Sequence, residues 1–256
     1  MTAAPAAEAV IFDLDGTLVQ TESLKAESYA RAAAELRPGE VDPRAVIEAY
    51  DECIGQSREV VAQTLLDRFG LAEAARRMQQ TVGAATPRDA YIALRLKIYD
   101  AMLSDVALIR RQELPYATAL VRHLKADGYP LGLTTVSHRS EVVIVLSALQ
   151  LLDQFDVIVT IDDVTHGKPD PEIYLLAAKQ LGVPPARCLA IEDSLTGIRA
   201  AMAAGIPCVA STNDLTRDSV HAAAPLPGVE IVDDPTKLEA VVRASLISRE
   251  EVGVWN

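Results

Sequence analysis

The sequence is poor in aromatic residues, in cysteine and in positive charge. Aromatics make up 4% of its 256 residues, with a single Trp, so aliphatic side chains and alanine must fill the core. Its three cysteines, Cys53, Cys188 and Cys208, show neither a zinc-type spacing nor a disulfide framework, and are expected to be reduced, buried thiols. Lys and Arg number 24 against 36 Asp and Glu, a formal charge of −12. That balance lacks the basic footprint nucleic acid requires. The chain has no Walker-type loop and no G-x-G-x-x-G, which leaves nucleotide-driven functions unsupported. No apolar run is long enough to span a bilayer, and Met1–Ala7 lacks the basic and apolar regions of a signal peptide. A cytoplasmic protein without a membrane partner is expected. No internal repeat is present, and the only biased stretch is the alanine-rich start.

What the chain does have begins at Val10-Ile11-Phe12-Asp13-Leu14-Asp15-Gly16-Thr17-Leu18-Val19. A short apolar run suited to a buried strand delivers two carboxylates at positions i and i+2. On an extended chain these share a face. Two converging carboxylates repel unless a cation or a shared proton lies between them. Gly16 permits a sharp exit or a close approach of backbone to a ligand. An ordinary Asp-Gly turn is the competing explanation.

The next stretch, from Glu22 to about Ser104, is patterned only as helix, with expected helices at 23–36, 43–53, 57–69 and 86–102. From Leu114-Pro115 onward strand and helix alternate, with strands expected at 130–135, 156–161, 187–191, 207–210 and 229–232. Aliphatic strands alternating with helices mean a parallel sheet covered on both faces. The predicted fold is α/β: a Rossmann-like doubly wound core formed by 1–19 and 112–256, with an inserted all-helical cap at 20–111. Oligomeric state is left as monomer or homodimer.

Ligands of such sheets bind beyond the carboxyl ends of the strands. The polar residues there form one series: Asp13 and Asp15 after the first strand, then Thr134, Thr135 and Ser137. Further on come Lys168 in Gly167-Lys168-Pro169-Asp170-Pro171 and finally Glu192-Asp193-Ser194. Thr134 competes with Thr135 for any hydroxyl role, and Asp193-Ser194 also reads as a helix cap.

In this order, DLDGT, a strand-ending Thr, GKPDPEIY and IEDSLTGIRAAMAAGIPCV resemble the haloacid dehalogenase superfamily. The helical insert is similar to the cap of its beta-phosphoglucomutase, CbbY-like and phosphoglycolate phosphatase-like branch. The resemblance implies Asp13 as nucleophile forming an aspartyl-phosphate, and Asp15 as general acid and base. Members that act as dehalogenases lack this second acid, so its presence favours phosphoryl transfer. The resemblance further implies Mg²⁺ held by Asp13, the backbone carbonyl of Asp15 and Asp193, with Glu192 close by. Thr135 would bind a phosphoryl oxygen, and Lys168 would pair with Asp13 and the developing charge. Gly16, Thr17, Val136 and Ser137 complete the expected substrate-binding loops.

In the cap, Gly55-Gln56-Ser57-Arg58 is similar to the family's G-x-S-R segment, whose arginine holds a second phosphate. A surface arginine beside a helix cap explains it equally well. Lys25 stands where the mutases carry His, and Gln20 replaces the usual hinge acid. These departures favour a phosphatase acting on a small phosphorylated metabolite. A phosphosugar mutase and a non-catalytic phosphometabolite-binding protein are the alternatives. His138 and Arg139 are further candidates for the cleft.

Overall fold

Ala9–Phe12, strand β1, is buried at every residue and pairs on both sides. The computed structural model describes residues 7–54 and 56–246; Met1–Ala6, Gly55 and 247–256 lie outside the described residues. Most of the N-terminal leader reading and the first residue of the Gly55–Arg58 segment fall there. After β1 come helices α1 (Thr21–Leu36), α2 (Pro43–Asp51), α3 (Arg58–Arg68), α4 (Ala72–Val82), α5 (Pro87–Leu103) and α6 (Val106–Arg111). Strand and helix then alternate: α7 (Pro115–Ala126), β2 (Leu131–Thr134), α8 (Arg139–Ala148), β3 (Val157–Val159), α9 (Glu172–Leu181), β4 (Cys188–Glu192), α10 (Leu195–Ala203), β5 (Cys208–Ser211), α11 (Arg217–Ala223), β6 (Val229–Val232) and α12 (Leu238–Leu246).

The six strands form one parallel sheet in the order β3-β2-β1-β4-β5-β6. Val10 lies opposite Leu131 on one side and Leu189 on the other. The chain builds outward from β1 in one direction, then returns to β1 and builds the other way. Its topological switch point is therefore at β1, where the loops leaving β1, β2 and β4 converge. Ala9 and Ile11 pack with Ile173, Tyr174, Ile198 and Ala201 from α9 and α10, while Phe12 meets Phe155 edge-on at 6.2 Å. The small core side chains let helices lie close to the sheet, as the low aromatic content requires.

Contacts divide the chain into two compact units, Met1–Gln20 with Ile109–Asn256, and Thr21–Leu108. The first holds the sheet. The second is helical and has its own core, in which Tyr29 packs against Tyr50 and Tyr91 at 5.6 and 5.7 Å. Arg95, buried there, stacks on the rings of Tyr29 and Tyr99. Among the described residues no helix is long and apolar enough to cross a membrane, and all three cysteines are free and buried.

Several elements depart from the sequence pattern for local reasons. Helix α4 is not among the expected helices; its apolar face, Ala72, Ala75, Met78 and Val82, packs on the core of the helical unit, with Ala75 alone fully buried. Six residues of α6 are too few to show a period. Helix α8 ends at Ala148 rather than near Leu151, because Gln150 takes a left-handed conformation (φ 57°) that stops a helix as glycine usually does.

Gly197 packs α10 onto the end of β4. A Cβ at this helical position would overlap the Glu192 carboxylate. Alanine is the better helix former by about 1 kcal/mol, yet overpacking a closed site costs about 1–3 kcal/mol. Overlap with a buried carboxylate outweighs propensity. Gly197→Ala is therefore expected to lower stability by about 1–3 kcal/mol in urea unfolding, against the gain that an open helical site would show.

Candidate active site

The backbone leaves the sheet after Phe12 and tightens at once. Leu18 and Val19 both donate N–H to the Leu14 carbonyl, and Gly16 donates to that of Val19. Asp13 lies just past β1, its N–H still donating to the Ile191 carbonyl as the ladder continues, and Asp15 stands immediately before the turn at Gly16–Leu18. Gly16 has φ 88°, and a Cβ there would overlap Asp193. The glycine is required both by backbone conformation and by close approach.

Lys168 lies between carboxylates. Its Nζ donates to Asp13 Oδ1 at 2.7 Å, to Glu192 Oε1 at 2.5 Å and to the Thr134 carbonyl at 3.1 Å. All three ammonium donors are used, and the side chain is 4% exposed. Tyr174 supports the arrangement from below: its hydroxyl donates to Glu192 Oε1 at 2.7 Å, and its ring lies 5.1 Å from Nζ. Burial opposes charge on Lys168, but the Asp13 and Glu192 carboxylates hold its pKa above the ordinary lysine value. Burial pushes Asp13 up to about 8; Lys168 opposes this, while Glu192 and Asp15 add to it. Burial and Glu192 also keep the Tyr174 phenol protonated, well above its usual range.

Asp15 is held by hydroxyls. Its Oδ2 accepts from Ser137 Oγ at 2.6 Å and Thr135 Oγ1 at 3.1 Å, and Thr135 Oγ1 accepts the Ser137 N–H at 3.0 Å. Thr135 rather than Thr134 brings its hydroxyl here, while Thr134 offers its carbonyl to Lys168. Val136, between Thr135 and Ser137, is 48% exposed. Thr17 is buried, and its Oγ1 has no partner among the described residues.

Asp193 follows β4. One oxygen each from Asp13, Glu192 and Asp193 lies within 4.8 Å of the others. These are hard oxygen donors with no His or Cys among them, the set that suits Mg²⁺. The residues present fit such an ion. Glu192 is committed elsewhere: Oε1 holds Lys168 and Tyr174, and Oε2 accepts the Asp193 N–H at 3.3 Å. Asp13 and Asp193 are the carboxylates better placed to ligate.

His138 and Arg139 are occupied by acids: His138 Nδ1 meets Asp162 at 2.6 Å, and Arg139 pairs with Asp163. Lys25 and Arg58 belong to the helical unit. Lys25 donates to Glu22 at 2.8 Å, and Glu22 also accepts from the Tyr50 hydroxyl at 2.5 Å. Arg58 opens α3 directly after its N-cap Ser57.

Two residues of the cluster escape a reading by motif. Tyr174, the last residue of GKPDPEIY, looks like a core aromatic. Asn213 donates from Nδ2 to Asp193 Oδ2 at 2.8 Å and to the Gly16 carbonyl at 3.2 Å. Its signal is position, since it stands just past the carboxyl end of β5.

A family model described as haloacid dehalogenase-like hydrolase matches residues 7–205. The protein CbbY of Rhodobacter capsulatus is 32% identical over 221 residues, 85% of this chain and 90% of that one. Phosphoglycolate phosphatase of Escherichia coli is 32% identical over 208 residues, 79% and 80% of the two chains. The solved structure of CbbY from Rhodobacter sphaeroides with xylulose-1,5-bisphosphate superposes with a TM-score of 0.68 at 26% identity, covering 91% of this chain and 96% of that one. A beta-phosphoglucomutase from Clostridium difficile shares the fold at a TM-score of 0.70 and 24% identity, covering 96% and 99%. With its parallel sheet, its acid cluster and relatives named as phosphatases, the chain belongs to the haloacid dehalogenase-like hydrolases.

Proposed function

We propose that this protein is a Mg²⁺-dependent phosphatase of small phosphorylated metabolites, acting through an aspartyl-phosphate on Asp13. The observation that carries the proposal is the buried Asp13–Lys168–Glu192 array with Asp15 two residues from the nucleophile. Asp13 attacks phosphorus, its carboxylate oxygen forming the new bond while the bond to the leaving oxygen breaks. Asp15 gives its proton to that leaving oxygen. It then takes a proton from the water that attacks the phosphoaspartate, releasing phosphate and restoring Asp13. Thr135 and Ser137 fix Asp15 for both transfers. Lys168 offsets charge on Asp13 and on the phosphoryl oxygens as it develops.

Asp13, Asp193 and the backbone carbonyl of Asp15 would hold Mg²⁺, with Glu192 shaping the site through Lys168. The bound ion supplies positive charge that neutralises the acids and the phosphoryl oxygens. Gly16, Thr17, Val136 and Ser137 form the loops assigned to the phosphoryl group. We assign substrate selection to the helical unit as a cap, with Lys25 and Arg58 as its cationic contacts. The named relatives support phosphoglycolate, a sugar phosphate or a sugar bisphosphate as substrate.

The proposal is tested by phosphate release from phosphoglycolate, hexose monophosphates and ketose bisphosphates. At least one should be hydrolysed, and Asp13→Asn should cut turnover by about a thousandfold or more. Isomerisation of a hexose monophosphate without phosphate release would favour a mutase. Activity that survives Asp13→Asn would exclude Asp13 as nucleophile. A second expectation concerns pH. With its pKa raised to about 8, Asp13 in the metal-free protein is expected to be largely protonated at neutral pH, and binding of Mg²⁺ would release that proton. Affinity for Mg²⁺ should therefore rise about tenfold per pH unit and level off above about 8. Calorimetry in buffers of different ionisation enthalpy should show proton release on binding at neutral pH. Chelating the metal should abolish turnover, and restoring it should return activity.

A further inference from the structure

We infer that Asn213 is a positioning residue for the metal site, holding the Asp193 carboxylate against the Gly16 loop through both hydrogens of its amide. The inference rests on the reading that Asp13 and Asp193 hold a divalent cation. Asn213 Nδ2 lies 2.8 Å from Asp193 Oδ2 and 3.2 Å from the Gly16 carbonyl. Both are pure acceptors, so only the NH₂ end of the amide can face them. The other end confirms the orientation: Asn213 Oδ1 accepts the Leu215 N–H at 2.9 Å. The backbone is pinned as well. The Asn213 carbonyl accepts from the N–H groups of Thr216 and Arg217, and its own N–H donates to Thr216 Oγ1 at 3.2 Å. A rigid turn at the end of β5 therefore presents two donors in fixed directions.

The consequence is a three-way lock. Gly16 has no Cβ, so the Asp193 carboxylate lies directly on its backbone. Asn213 bridges the two and couples the loop bearing Asp13 and Asp15 to the carboxylate that follows β4. Outer partners that orient metal-ligating carboxylates contribute about 10–100-fold in metal affinity. A neutral donor also holds Asp193 in place without competing with the cation for the carboxylate, as a lysine there would.

The test is calorimetric titration of Mg²⁺ into metal-free wild type, Asn213→Ser and Asn213→Asp. Serine keeps a short oxygen acceptor for the Leu215 N–H but cannot reach Asp193. Aspartate keeps the shape and turns the donor into an acceptor facing two acceptors. Both variants should bind Mg²⁺ about tenfold or more weakly than wild type. Metal-free Asn213→Ser should melt close to wild type, and its turnover should recover at saturating Mg²⁺. Aspartate is the sharper arm, because its added negative charge would tighten binding if charge alone mattered. Wild-type affinity in Asn213→Ser, or tighter binding in Asn213→Asp, overturns the role of Asn213 alone. A wild-type protein that binds no Mg²⁺ overturns both this role and the metal reading beneath it.

Discussion

The site depends on one buried ammonium. Four carboxylates, Asp13, Asp15, Glu192 and Asp193, gather at the switch point of the sheet, and Lys168 is the cation among them. Removing one partner of a buried ion pair costs about 3–5 kcal/mol, because the remaining charge is left without compensation. Lys168 spends its three donors on two of these acids and on the Thr134 carbonyl. Tyr174 and the close approach of Gly197 keep Glu192 in place to receive it. The remaining negative charge makes a divalent cation favourable there and adds to the burial that raises Asp13.

The strand order explains why these residues meet. Because β1 lies between β2 and β4, the loops leaving all three open onto one spot. β1 brings Asp13 and Asp15, β2 brings Thr135 and Ser137, and β4 brings Glu192 and Asp193. Lys168 arrives from the segment before α9. β5, next to β4, adds Asn213. Residues as far apart in sequence as Gly16 and Asn213 touch because the sheet reverses its building direction at β1.

Much of this was legible in the sequence, since a parallel strand announces itself as an aliphatic run and its carboxyl end as the polar residues that follow. The acid pair, Thr135, Lys168 and Asp193 stand at such positions, and the structure brings them together. Other features had no local signal. The turn at Gly16–Leu18, closed by hydrogen bonds to Leu14, brings Gly16 against Asp193, which strand alternation does not describe. Tyr174 reads as a core ring, and only its hydroxyl contact to Glu192 ties it to the site. Asn213 sits in a short polar run that any turn could contain. The pairing of Thr135 and Ser137 with Asp15 likewise depends on how close two loops pass. In the helical unit α4 presents only Ala72, Ala75, Met78 and Val82 to the core from an otherwise polar segment.

The central claim is that Asp13 takes the phosphoryl group before water does. Its most direct test is the stereochemical course at phosphorus, using a phosphorothioate ester made chiral with two oxygen isotopes and hydrolysed in water carrying the third. Two in-line displacements, one by Asp13 and one by water, predict net retention. Net inversion would mean a single direct attack by water and would contradict the account.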